Sequence, residues 1–209
     1  MTEFMVRPRT REQWLELAVL KLRPLFAEQD IELPALRVSV GWPSKGGTGS
    51  KRKVIGQCWK STVASDGLPQ LFISPALPLP GGVVTEVLAT LVHELIHAVD
   101  DCESGHKGAF GVMARAMGLE GKLTATHAGA DLEVRLGQII DEIGAYPHSA
   151  LNPFEMEKQR PKQKTRMIKL VAPDCDYTVR TTQKWIDEGL PMCPHGMEMQ
   201  QDGDSGDGE

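Results

Sequence analysis

Four things are scarce in this sequence, and each scarcity excludes something. Positive charge is not in excess: 23 lysines and arginines stand against 28 aspartates and glutamates, for a formal net charge of −5. That balance argues against a surface built all round to hold nucleic acid. Cysteines number four, Cys58, Cys102, Cys175 and Cys193, and residues 1–14 are charged with no apolar core, so they do not read as a secretory signal. A disulfide framework is therefore not expected, and Cys58 and Cys102 read as separate small buried hydrophobes. The most apolar run, residues 83–99, is too short to span a bilayer and is broken by Glu86, His93, Glu94 and His97. No internal repeat is present. The expectation is a cytoplasmic, monomeric protein with no membrane partner.

What is there suits one globular domain with a small appendage: 209 residues, 41% of them hydrophobic. Thr10 followed by Gln13 fits a capping box, and Trp14, Leu17, Ala18, Leu22 and Leu25 recur behind it at helical spacing, with Pro24 expected to bend or end that helix. Strands are expected over 36–40, 54–59 and 70–74, with a turn at Asp66-Gly67 between the last two. Residues 41–53 form a Gly/Ser/Lys-rich loop that lacks the spacing of a phosphate loop. Helices are expected over about 83–101, from His106 to near Gly118, and over 131–143. The last carries Leu132, Leu136, Ile139, Ile140 and Ile143 on one stripe and stops at Gly144 and Pro147. Residues 1–150 thus read as a main domain, 151–166 as a basic linker, 167–199 as a small module and 200–209 as an acidic disordered tail.

Within the apolar helix stands His93-Glu94-Leu95-Ile96-His97. Histidines four apart on a helix share one face, and two imidazole nitrogens so placed can reach one zinc ion at about 2.0–2.1 Å. Glu94, next to the first histidine, lies beside the metal, where it can take a proton from a water that zinc has acidified. Two histidines and a glutamate inside a helix otherwise lined by Val84, Leu88, Leu91, Val92, Leu95, Ile96 and Val99 are costly unless something satisfies them, and a metal does. A catalytic zinc needs a third protein ligand. His106, His127 and His148 are the candidates, and His106 leads because a tight reversal at Ser104-Gly105 returns it to the metal. Tyr146 is a candidate oxyanion partner.

The stretch from Ala89 to Ala98 around His93-Glu94-Leu95-Ile96-His97, followed by Gly105-His106-Lys107-Gly108-Ala109-Phe110, resembles the SprT-like metallopeptidases, which include the Spartan proteases of DNA–protein crosslink repair. The resemblance implies His93, His97 and His106 as zinc ligands and Glu94 as catalytic base. It implies an α+β, zincin-like minimal domain with a small sheet packed on the two zinc-site helices. The loop before His106 is shorter than in better-known members, and Lys107 stands where glycine is frequent. SprT-like proteins often carry a C-terminal zinc ribbon, which residues 170–196 resemble. A cysteine is missing near Ala172, leaving Cys175, Cys193 and His195 as three ligands with Asp174 or a water as a fourth, or else a ribbon held by packing without metal.

Those features lead to the expectation of a zinc metallopeptidase acting on protein or peptide, with DNA-associated proteins as a substrate class. DNA contacts are expected from Lys45, Lys51, Arg52 and Lys53 and from Lys158, Arg160, Lys162, Lys164, Arg166 and Lys169, which otherwise are solvated, flexible segments. The alternatives are a deformylase-like amidase, for which Cys58 is the upstream cysteine, and a non-catalytic zinc-containing adaptor, in which Glu94 has no task.

Overall fold

The computed structural model describes residues 8–44, 54–79, 81–149, 151 and 167–202. The basic loop at 45–53 and the linker residues 152–166 lie outside them. The chain divides into two compact units between Glu157 and Lys158.

In the first unit, helix α1 (Arg11–Ala27) starts on Thr10, whose side chain accepts from the Gln13 N–H while the Gln13 side chain returns to the N-cap backbone. Pro24 does not end the helix, which continues to Ala27. A proline here removes only the N–H that would bond the Leu20 carbonyl, and Leu20 is on the solvent side. The opposite side of α1 buries Trp14, Leu15, Leu22 and Phe26 completely.

Three strands follow: β1 (Arg37–Val40), β2 (Gly56–Trp59) and β3 (Gln70–Ile73). They form one sheet in the order β1-β3-β2, with β3 parallel to β1 and antiparallel to β2, so among the described residues β2 is an edge strand. Period-two alternation puts Leu71 and Ile73 of β3 fully into the core. Helix α2 (Thr85–Val99) is the hub. It packs on β2, β3 and three other helices, as its nearly all-round apolar sequence requires.

Helix α3 (Gly108–Ala116) begins two residues later than expected. His106 lies in the preceding turn, because Gly105 (φ 53°) and Gly108 (φ 48°) take left-handed backbone and delay the helix. A hairpin that the sequence did not announce comes next, β4 (Leu119–Lys122) with β5 (Ala125–Ala128), and β5 packs on α2. Its four-residue strands contain Gly121, Glu120 and Lys122 and are joined through Leu123-Thr124, so neither alternation nor a glycine turn signalled it. Helix α4 (Ala130–Ile143) buries Leu132, Leu136 and Ile143 and stops at Gly144, whose φ of 90° suits glycine. Trp14 Nε1 donates to the Gly144 carbonyl at 2.8 Å, tying the two ends of this unit's chain together.

The second unit contains β6 (Ile168–Ala172), β7 (Cys175–Thr181), helix α5 (Gln183–Glu188) and β8 (Gln200–Gln201), in sheet order β7-β6-β8. Leu170, Ala172, Cys193 and Met199 form its small core. The expected acidic tail therefore starts later than residue 200. Gln200 and Gln201 pair with Val171 and Leu170 because the second edge of a central strand with a buried face needs backbone partners. The chain is α+β, and among the described residues no helix is long and apolar enough to cross a membrane.

Candidate active site

Helix α2 places His93 and His97 one turn apart, both facing the turn that carries His106. The Nε2 atoms of His93 and His106 are 3.2 Å apart, and those of His97 and His106 are also 3.2 Å apart. Tetrahedral coordination at about 2.0–2.1 Å needs nitrogens about 3.3 Å apart. The cluster therefore has the spacing of a metal site and can hold an ion. Phe110 seals its inner side, stacked on His97 with centroids 4.3 Å apart. The donors suit a metal in charge as well as spacing. Burial, with the neighbouring imidazoles adding, pushes His93 down to about 3; burial, with His106 adding, pushes His97 down to about 4; burial lowers His106. All three are thus neutral ligands at ordinary pH.

His93 uses its other nitrogen. Its Nδ1 lies 2.8 Å from Thr126 Oγ1 on β5. With Nε2 facing the cluster, Nδ1–H donates to the hydroxyl, which fixes the tautomer and the ring plane. Thr126 was not legible in the sequence, because the hairpin that delivers it was not.

Glu94 is buried at 6% exposure, one helical step from the histidines. Burial pushes its carboxyl up to about 8, the nearby Cys102 thiol adds to the rise, and the Cys58 backbone N–H holds it back in part. Gly56 makes room for it: a Cβ there would lie 2.4 Å from Glu94 Oε1. The cluster and Glu94 open into a cleft of about 430 Å³, with residues 54–58 on one wall and Thr124, Ala125 and Thr126 on the other.

The remaining sequence candidates fall elsewhere. His127 is exposed on β5 beside Glu120. His148 stacks on Tyr146 and contacts Arg11. Tyr146 packs against Trp14 in the core and does not line the cleft, so it is no oxyanion partner. Cys58 and Cys102 are not separate buried residues. Both are half-buried in the cleft wall, with Cys102 Sγ 3.8 Å from the Cys58 carbonyl oxygen, because the turn after α2 folds back onto β2. Neither cysteine belongs to the histidine cluster, which removes the ligand a deformylase-like site requires.

In the second unit, the ligand atoms of Cys175, Cys193 and His195 lie within 4.8 Å of one another and can hold an ion; Asp174 is not in that group. Burial opposes ionisation of Cys193, but the N–H groups of Met197, His195 and Gly196 and the Cys175 thiol outweigh it and hold the thiol below its ordinary value. Of the basic residues expected to meet DNA, Lys169 is among those described, and it pairs with Asp202 at 2.6 Å.

The chain matches no family model, no curated protein and no solved structure.

Proposed function

We propose that this protein is a zinc metallopeptidase of SprT-like type, and that the 3.2 Å spacings within the His93, His97 and His106 cluster are the observation that carries the reading. These residues hold zinc through their Nε2 atoms, with Thr126 orienting His93. When bound, zinc supplies the Lewis acidity that acidifies a water and polarises a carbonyl. Glu94 accepts the proton of the attacking water and passes it to the departing amine. Its buried place one residue from His93 lets one group serve both transfers.

A substrate peptide is proposed to lie extended along the cleft beside β2, which among the described residues pairs with one strand of the sheet. Small β-strands flanking a two-histidine helix, with the third histidine just before the next helix, agree with a zincin-like minimal domain. DNA-associated proteins are the proposed substrate class, supported by the basic residues at 45–53 and 158–169 of the sequence. Cys175, Cys193 and His195 are proposed to hold a second, structural zinc, supported by the N–H groups gathered around Cys193.

The test is Glu94→Gln beside His106→Ala. Glu94→Gln should keep its catalytic zinc and lose hydrolysis of a denatured protein substrate, and His106→Ala should lose that zinc. A zinc-loaded Glu94→Gln that still hydrolyses the substrate sinks the assignment.

A further inference from the structure

The cleft wall holds two side chains that hydrolysis does not use. Cys58 sits on β2, two residues from Gly56 and therefore on the same face, toward α2. Cys102 sits in the reversal between α2 and His106. Cys102 Sγ is 3.8 Å from the Cys58 carbonyl oxygen, so the second thiol lies directly against the residue that carries the first. Both line the cleft, so a small solute reaches them from there.

The reversal is strained and heavily braced. Asp101 (φ 49°) and Cys102 (φ 62°) are consecutive non-glycine residues in left-handed backbone, a combination that persists only when the surroundings enforce it. The braces come from the end of β2 and the turn after it. The Asp101 carboxylate accepts from the Ser61 N–H at 2.7 Å and the Ser61 hydroxyl at 2.8 Å, and Lys60 pairs with Glu103. From the other side, the Cys102 N–H donates to the His97 carbonyl at 2.8 Å. Together these contacts set Cys102 against Cys58 and fix the path of the four residues that lead to His106.

We propose that Cys58 and Cys102 form an oxidisable dithiol, which peroxides convert to a disulfide clamping the His106 turn onto β2. One thiolate attacks a peroxide oxygen, breaking the O–O bond and giving a sulfenic acid and hydroxide. The second thiolate attacks that sulfur and displaces its oxygen as water. Two thiols and one hydrogen peroxide thus become one disulfide and two waters. The new S–S bond, about 2.05 Å long, ties β2 to the braced turn. The modification retains His106 at the cluster and slows its departure. The disulfide stands independently of the metallopeptidase reading, whereas its effect on zinc rests on it.

The experiment treats the full-length, zinc-loaded protein with dilute hydrogen peroxide and maps the linkage by peptide mass spectrometry. Zinc release to a chromophoric chelator is then timed before and after oxidation, in the Cys175→Ser background so that the zinc counted is that of the histidine cluster. The expected results are a Cys58–Cys102 linkage, absent from Cys58→Ser and Cys102→Ser, and release slowed about tenfold, the lower end of what outer-shell partners of a metal ligand contribute. Recovery of Cys58 and Cys102 as unlinked thiols or sulfonic acids overturns the proposal, as does a mapped linkage with zinc release unchanged or faster. A protein that takes up no zinc at the histidines counts against the metallopeptidase reading alone, and the mapped linkage then decides the dithiol by itself.

Discussion

Gly56→Ala adds one carbon at the point where β2 comes against Glu94, the proposed general base. The new Cβ would lie 2.4 Å from Glu94 Oε1, 2.9 Å from Glu94 Cδ and 2.8 Å from Thr90 Cγ2. Relaxed contacts between such atoms are about 3.5 Å, so the carboxylate must retreat by roughly 1 Å, Thr90 being fixed on its helix. A displacement of that size at a catalytic group costs on the order of 100-fold in rate, while the overpacking costs about 1–3 kcal/mol of stability. The three histidines are untouched, so zinc content should stay at the wild-type level. Hydrolysis of a fluorogenic protein substrate, zinc by elemental analysis and urea unfolding separate the effects. Gly137→Ala is the control: a Cβ there meets nothing within 4 Å, and alanine suits the interior of α4. A folded, zinc-loaded Gly56→Ala with wild-type turnover would refute the placement of Glu94 as base.

Thr126→Val keeps the shape of the side chain and removes the partner of His93 Nδ1. Zinc affinity should fall by about 10- to 100-fold, and Thr126→Ser should restore most of it; equal affinity in all three proteins, by competition with a chelator, rejects the orienting role. In the metal-free protein, folded His93 and His97 resist protonation that the unfolded chain accepts below its ordinary 6.5, so their contribution is lost as pH falls from 6.5. Glu94 acts oppositely: held protonated up to about 8 against an ordinary 4.5, its contribution is lost as pH rises from 4.5 through 8. The histidines outnumber the carboxyl below pH 6.5, and Glu94 alone operates from there to 8, so stability to urea should peak near pH 6.5. A peak at pH 8, or a flat profile from 5 to 8, contradicts the buried neutral cluster.

Helix α2 and its histidine pair were legible because a four-residue spacing in an apolar helix is a local property, fixed by 3.6 residues per turn. The capping box at Thr10, the three sheet strands and the glycine that ends α4 were legible for the same reason: each is a signal carried within a few residues. The sequence also named His106, from the short reversal that precedes it. It did not show Thr126 on His93, Gly56 against Glu94, Cys58 against Cys102, or Tyr146 turned into the core against Trp14. Nor did it show β8, whose two residues exist as a strand because β6 has an edge to pair. The proposed ligands and the proposed base are thus written in the chain within fourteen consecutive residues. Their support comes from 33 positions further along the chain in Thr126 and 44 positions earlier in the Cys58 partner of Cys102. Spacing along a helix follows from the sequence, whereas which distant backbone comes to lie against that helix follows from the packing of the whole core.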